Sequence, residues 1–177
     1  MLQTLITSKT RIKLLLKFFL NSKNSSYLRG LESEFKEGSN AIRMELNRFE
    51  EAGLLESTVS GNKKLFKANS KHPLFNDLNS LVRKYLGIDQ IIEKVIEKAG
   101  NLSEVYLTGR VAEGLDSEII EMIMVGEDID NAYVSTLAGK VESLIKRKIS
   151  FVVFDPEYFK TYKISTERKL FLVWNKM

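Results

Sequence analysis

Apolar residues in the first fifty positions recur every three or four residues, which is the spacing of helices that bury one face. The spacing predicts helices over about 8–20, 27–35 and 39–52. Ser39 or Asn40 caps the third helix, and a glycine ends it. A tight turn that contains glycine joins the second and third helices, an arrangement typical of a helix-turn-helix.

Two strand-like runs, 54–59 and 63–68, follow the third helix and flank a Gly-Asn turn. They predict a β-hairpin with Lys63 and Lys64 at its tip. Three helices followed by a hairpin are the elements of a winged helix, in which the hairpin is the wing. We therefore expect residues 1–72 to form a winged helix-turn-helix domain.

From residue 73 onward, helical and strand-like runs alternate, which indicates an α/β layer. The predicted helices cover 73–85, 88–99, 131–147 and 155–162, and the predicted strands cover 105–107, 119–125, 149–154 and 169–174. We divide this part into connecting helices, 73–100, and an α/β domain, 101–177. The long helix after the hairpin either forms a dimer contact or packs between the domains.

Composition excludes several kinds of chemistry. The 177 residues include no cysteine and one histidine, His72, so disulfides, cysteine nucleophiles and multi-histidine metal sites are excluded. His72 precedes Pro73 and is interpreted as a helix-entry residue. The sequence has no apolar run of about 18 residues, and its start lacks the pattern of a signal peptide. We therefore expect a cytoplasmic protein that makes no membrane contact.

Charge is distributed unevenly along the chain. Residues 1–73 hold 13 basic and 7 acidic side chains, whereas residues 74–177 hold 14 basic and 16 acidic ones. A basic part beside a slightly acidic remainder suggests that the first part meets a polyanion.

The outer face of the third predicted helix carries side chains suited to reading DNA. At about 100° per residue, Asn40, Arg43, Met44 and Asn47 emerge opposite the apolar stripe, with Ser39 at the helix start. Arginine hydrogen-bonds guanine and asparagine hydrogen-bonds adenine in the major groove. We predict that Ser39, Asn40, Arg43 and Asn47 contact bases. The acids at 45, 50 and 51 are expected to point away from DNA or toward the rest of the domain.

The cations beside this face are predicted to hold the DNA backbone. Arg48 lies at the flank of the helix, and Lys63 and Lys64 lie at the tip of the hairpin. Basic side chains in such positions contact phosphates or the minor groove. The expected partner is therefore double-stranded DNA.

The segment 40–55 resembles the recognition helix and the start of the wing in ArsR-like winged-helix regulators. The stretch 69–75 looks like the connector of a subgroup in which the winged helix precedes a minimal nucleotidyltransferase-like domain. The resemblance implies an α+β protein whose second domain has a mixed sheet. It also implies a DNA-binding homodimer that reads two half-sites about one helical turn apart.

The second half departs from the nucleotidyltransferase pattern where catalysis would occur. The pattern has a Gly-Ser pair after the first strand and two magnesium-binding carboxylates one residue apart on the next. This chain has Thr108-Gly109-Arg110, and its acids Glu118 and Glu121 are three residues apart, so they point to opposite faces of a strand. Asp155 is placed near a third-acid position. We therefore predict a degenerate site and assign no catalytic residue, metal or cofactor.

A degenerate site can still bind a ligand. The predicted ligand-binding residues are Thr108, Gly109, Arg110, Asp116, Ser117 and Glu121. Arginine beside a glycine turn is a phosphate ligand, so one alternative is a nucleotide-like or other anionic effector. The other is a fold retained for dimerisation or scaffolding.

The function predicted from these observations is a sequence-specific, DNA-binding transcriptional regulator. Two alternatives remain. An active magnesium-dependent nucleotidyltransferase would need a carboxylate pair that the sequence lacks at the right spacing. A protein-interaction module would use the winged helix on a partner protein, and the polar, basic face of the third helix argues against it.

Overall fold

The computed structural model describes residues 2–98 and 100–176. The helices are α1 Leu2–Leu5, α2 Lys9–Phe19, α3 Leu28–Phe35, α4 Ser39–Glu51, α5 Phe75–Tyr85, α6 Ile88–Lys98, α7 Gly109–Ala112, α8 Asn131–Ile145 and α9 Pro156–Ser165. The strands are β1 Ser25–Tyr27, β2 Leu55–Ser60, β3 Lys63–Ala68, β4 Asn101–Thr108, β5 Ile119–Glu127, β6 Lys148–Phe154 and β7 Phe171–Asn175. Within the described part, no helix is both long enough and apolar enough to cross a membrane.

The chain divides into two compact units. The first contains the described residues up to Tyr85 together with Gly114–Asp116, and the second contains Leu86–Glu113 and the described residues from Ser117 onward. The first has a three-stranded sheet of order β1-β3-β2, and the second has a four-stranded sheet of order β6-β5-β4-β7. In the second sheet β5 pairs in parallel with β6, whereas β4 is antiparallel to both of its neighbours. The predicted α+β class with a mixed sheet is confirmed.

In the first unit, local chemistry sets where the helices begin and end. Ser8 caps α2 by accepting a hydrogen bond from the Arg11 amide. The chain leaves α3 through Lys36, whose φ of 53° is left-handed. The expected cap of α4 is wrong: Gly38 is the cap, and Ser39 is already the first helical residue. Extended backbone at Gly38 supplies the cap geometry, and no side chain accepts from the helix there.

Strand β1 lies between the first two predicted helices, where no strand was predicted, and it includes Tyr27, the predicted start of the second helix. Ser25, Ser26 and Tyr27 pair antiparallel with Lys67, Phe66 and Leu65 of β3. Three polar or aromatic residues carry no recognisable alternation, so the strand exists because β3 offers an open edge. Strand β3 is thus the central strand of a small sheet, and the start of α3 is tied to it through β1.

Side chains of α2, α3, α4 and α5 pack together in the core of the first unit. Phe19 meets Phe49 edge to face, with ring centroids 6.4 Å apart, and contacts Phe75 at 5.9 Å. The side-chain amide of Asn79 in α5 donates a hydrogen bond of 2.6 Å to the Phe19 carbonyl. The other fully buried side chains of these elements include Leu14, Phe18, Leu31, Ile42 and Leu46. Helix α5 therefore belongs to the first unit.

In the second unit, α9 packs against one face of the sheet. Phe159 of α9 is buried with Tyr106, Ile123 and Val125 of the sheet. The neighbouring Phe154 ring stacks on Tyr162, with centroids 4.8 Å apart. Helices α6 and α8 contact β4 and β6.

Some predicted boundaries differ from the structure. Helix α8 ends at Ile145 because Lys146 adopts a left-handed conformation with its amide bonded to the Glu142 carbonyl. Leu144 has the helical spacing of the buried residues Leu137 and Val141, yet its side chain is 71% exposed. Strand β4 begins at Asn101, well before the apolar run 105–107 that predicted it. The predicted end of α6, Ala99, lies outside the described residues.

Candidate functional site

The exposed face of α4 is polar along most of its length. Ile42, Leu46 and Phe49 are buried on one side of the helix. On the other side Asn40, Arg43, Met44 and Asn47 are exposed, and Ser39 at the helix start is half-buried. The helix therefore presents a row of hydrogen-bonding side chains to its surroundings.

A basic groove runs between the α3–α4 pair and the β2–β3 hairpin. Its volume is about 930 Å³, and it is lined by the cations Arg29, Arg43, Lys63 and Lys64. Asn47 also lines the groove, and the described residues that line it include no acidic side chain. Within the described part, neither Arg29 nor Arg43 forms a hydrogen bond or ion pair. We call this surface the basic groove.

Two aromatic rings on the groove position its lysines. The Lys63 ammonium lies 5.9 Å from the centre of the Tyr27 ring, and the Lys64 ammonium lies 5.3 Å from that of Phe66. Tyr27 is 39% exposed and Phe66 is buried. The rings hold both cations near the groove without neutralising their charge.

Lys64 also forms an ion pair with an acid of α4. Its ammonium lies 2.6 Å from the Glu50 carboxylate, which accepts a second hydrogen bond of 2.5 Å from Ser57. These bonds from Lys64 and then Ser57 hold the pKa of Glu50 below its usual value, against the opposing effect of burial. Glu50 is thus ionised at neutral pH and offsets part of the positive charge at this end of the hairpin.

Arg48 is also committed to a carboxylate. The side chain of Glu45 is 8% exposed and lies between Arg11 of α2, at 2.8 Å, and Arg48, at 3.1 Å. Burial raises the pKa of Glu45, but the hydrogen bonds of Arg11 and Ser8 and the charges of Arg11 and Arg48 together outweigh burial, so the pKa lies below its usual value. Glu45 therefore points toward α2, and its charge is compensated within the unit.

The predicted DNA-contacting residues fall into two groups. Arg43, Asn47, Lys63 and Lys64 line the basic groove together. Ser39, Asn40 and Arg48 lie on α4 outside its lining. Two further residues, Arg29 and Tyr27, were not predicted from the sequence, yet they line the basic groove together with Arg43. Arg29 follows the first residue of α3 by one position, so its place at the start of the second predicted helix is the signal that was available.

In the second unit, three polar residues form a row across the sheet. Thr108 of β4 pairs with Glu121 of β5, and Glu121 pairs with Ser150 of β6. A cleft of about 470 Å³ lies over this row and is lined by Phe154, Tyr162 and Arg168 among others. The Arg168 guanidinium lies 3.7 Å from the Glu121 carboxylate. The cleft therefore combines an acid, a cation, hydroxyls and an aromatic wall.

One hydroxyl in this cleft has no partner. Thr108 is 4% exposed, and its Oγ1 is buried without a hydrogen bond within the described part of the chain. Leaving a buried hydroxyl unpaired costs about 1–3 kcal/mol. Such an atom in the lining of a cleft is a candidate contact for a bound ligand.

The remaining predicted ligand residues do not line the cleft. Gly109 contacts the Glu121 carboxylate, Arg110 is exposed on α7, and the Ser117 carbonyl accepts a hydrogen bond from Arg147. Asp116 belongs to the first unit. The cation beside Glu121 is Arg168, which lies in the loop before β7 and gave no sequence signal.

The acids of the second unit do not suit a magnesium ion. Glu118 precedes β5 and is exposed, so it is not beside Glu121 on the strand. Asp155 caps α9 by accepting a hydrogen bond from the Glu157 amide. It follows Ser150, the strand partner of Glu121, by five residues, which is roughly 16 Å of extended chain. Its expected place near the acidic site is therefore wrong. In the described ranges, no group of three histidine or acidic side chains is arranged to hold a metal ion.

Comparisons with known proteins add little. No protein-family model matches the chain, and no curated protein does. Among solved structures, the crystal structure of AF1382 from Archaeoglobus fulgidus is similar over 52% of this chain and 98% of its own, with 17% identity and a TM-score of 0.38. A likeness at this level carries no argument about function.

Proposed function

We propose that the first unit is a winged helix-turn-helix that binds double-stranded DNA, and that the protein is a sequence-specific transcriptional regulator. The observation that carries the proposal is the basic groove, where four cations and no acid of the described residues meet beside the exposed face of α4. A concave, positively charged surface of this kind attracts the phosphate backbone. The order of elements, α3 and α4 followed by the β2–β3 hairpin, is that of a winged helix.

In this proposal α4 enters the major groove. Arg43 and Asn47, with Ser39 and Asn40 near the helix start, hydrogen-bond base edges, because arginine and asparagine match guanine and adenine there. Lys63 and Arg29 hold phosphates on either side. Arg48 and Lys64 contribute less, because Glu45 and Glu50 already compensate their charges.

The second unit has a candidate role in ligand sensing. The unpartnered Thr108 hydroxyl and the Glu121–Arg168 pair favour a small polar or anionic effector in the cleft of β4, β5 and β6. The homodimer stays a prediction that rests on the resemblance to ArsR-like regulators. A magnesium-dependent transferase is not favoured, since the acids around Glu121 do not form a metal-binding pair.

Selection of bound sequences from a random pool of duplexes tests the proposal. Purified protein is mixed with the pool at moderate salt, and retained duplexes are sequenced over several rounds. Arg43→Ala is expected to lose the enrichment, whereas Lys63→Ala should weaken binding to specific and random duplexes by about the same factor. Lys140→Ala, which removes an exposed lysine of α8 in the second unit, is the matched control.

The outcomes separate the competing functions. An enriched palindrome supports a dimeric regulator, and an enriched site without symmetry supports a monomeric one. If the parent protein binds no duplex even at low salt, or if both variants bind like the parent, the basic groove is not a DNA-binding surface and the proposal is wrong.

A further inference from the structure

We infer that Met44 reads thymine, by packing its thioether side chain against the 5-methyl group of a base in the major groove. The inference rests on the proposed function, since it takes α4 to be the helix that enters the groove. It assigns a specificity role to Met44, the one large apolar side chain on the exposed face of α4, where Asn40, Arg43 and Asn47 can form hydrogen bonds.

The position of Met44 follows from helix geometry. Residues three and four apart on a helix are neighbours, with Cβ atoms about 5–6 Å apart. Asn40 precedes Met44 by four residues and Asn47 follows it by three, and both are exposed. Met44 therefore lies in the middle of the row of hydrogen-bonding side chains.

Met44 is not part of the domain core. Its side chain is 57% exposed, whereas Ile42 and Leu46, two residues away on either side, are fully buried. More than half of this apolar side chain is therefore left in contact with solvent. A single exposed apolar residue is ordinary on a protein surface; what sets Met44 apart is its position between Asn40 and Asn47 on α4.

The chemistry of the major groove offers one apolar partner. Each base edge there presents hydrogen-bond donors and acceptors, and only thymine adds a methyl group. Methionine is unbranched and adaptable, so it reaches such a group without a fixed rotamer. Burying one methyl group is worth about 0.8 kcal/mol, which corresponds to a change of roughly fourfold in Kd.

The test removes the methyl group from the DNA and the thioether from the protein in turn. In the duplex obtained by selection, each dT is replaced singly by dU, which keeps the hydrogen-bonding edge and lacks the methyl group. Kd is measured by fluorescence anisotropy for the parent, Met44→Ala and Met44→Leu. Leu74→Ala removes another side chain with half of its surface exposed, outside α4, and serves as the control.

We expect one position per half-site where dU weakens binding of the parent about fourfold. That effect should vanish for Met44→Ala and persist for Met44→Leu and Leu74→Ala. If specific binding is intact but no dU effect disappears in Met44→Ala, the inference is overturned and the proposed function stands. If no specific binding exists, while the protein is folded by circular dichroism, the proposed function fails and the inference fails with it.

Discussion

The carboxylate of Glu121 packs directly against the backbone of Gly109. A Cβ atom at position 109 would lie 2.1 Å from Glu121 Oε1, which no real contact allows, and the φ of Gly109 is +63°. The strand residue before it, Thr108, is the cross-strand partner of Glu121. The glycine therefore allows the acid to lie in the cleft beside Arg168.

Replacing this glycine should damage the second unit. Gly109→Ala is expected to lower the free energy of unfolding by more than about 1 kcal/mol, because alanine in a left-handed conformation is strained and displaces Glu121. Urea denaturation followed by circular dichroism measures the change. Gly139→Ala is the control: position 139 lies in α8 with no atom within 4 Å of the added Cβ, so it should stabilise the fold by about 0.5–1 kcal/mol. Equal effects of both substitutions would contradict the contact.

Removing the Thr108 hydroxyl should cost nothing in the free protein. Thr108→Val replaces the unpartnered Oγ1 by a methyl group of the same shape, and relief of the desolvated hydroxyl is expected to raise the free energy of unfolding by up to about 1 kcal/mol. Thr136→Val is the control, since its Oγ1 donates a hydrogen bond to the Ala132 carbonyl on an exposed helix face. A clear loss of stability in Thr108→Val would show that the hydroxyl has a partner.

Stability should depend on pH through Glu45. Because Arg11 holds the pKa of Glu45 below the usual 4.5 against the effect of burial, the ionised carboxylate is favoured by folding. Its contribution is complete above the unfolded pKa and is lost as pH falls through the lower, folded pKa. Acid titrations of the unfolding free energy, from about pH 6 to about pH 3, measure this loss.

Glu45→Gln should flatten the acid limb of that titration and lower stability near neutral pH by about 1–2 kcal/mol. Some dependence of stability on pH will remain, since the pKa values of Glu37 and Glu50 are also lowered. For Glu37, burial raises the pKa, but interactions that include hydrogen bonds from Lys13 and Thr10 lower it further than burial raises it. Glu51→Gln, which alters an exposed carboxylate of the same helix, is the matched control. Identical profiles for Glu45→Gln and the parent would refute the role of the Arg11 pair.

Freeing Lys64 should strengthen DNA binding. In Glu50→Gln the ammonium loses its carboxylate partner and the hairpin loses a negative charge, so affinity at low salt is expected to rise about two- to tenfold and to depend more steeply on salt. Fluorescence anisotropy across a salt series gives both quantities. Glu127→Gln, an exposed acid at the end of β5, provides the comparison. Unchanged affinity in Glu50→Gln would indicate that Lys64 does not face DNA.

Much of the secondary structure could be predicted because apolar spacing is a local property. Apolar residues three or four apart identify the buried faces of α2, α4 and α8, and short apolar runs identify β5 and β6. Strand β1 could not be predicted, since its partner β3 lies some forty residues away. Leu144 shows the converse: it lies at the helical spacing of the buried Val141, yet its side chain is 71% exposed.

The candidate sites divide in the same way. Periodicity along one helix was enough to identify the outer row of α4, with Arg43 and Asn47, and a Gly-Asn turn was enough to place Lys63 at a hairpin tip. The sequence alone determined these residue types, the charge asymmetry and the absence of cysteine chemistry. Only the tertiary structure decided which cations are free to meet a ligand, because it pairs Arg48 with Glu45 and Lys64 with Glu50. It also decided which residue faces Glu121, because it brings Arg168 there from the loop before β7. The reason is physical: spacing reports which face of an element a residue occupies, whereas an ion pair or a cleft depends on where distant segments come to lie.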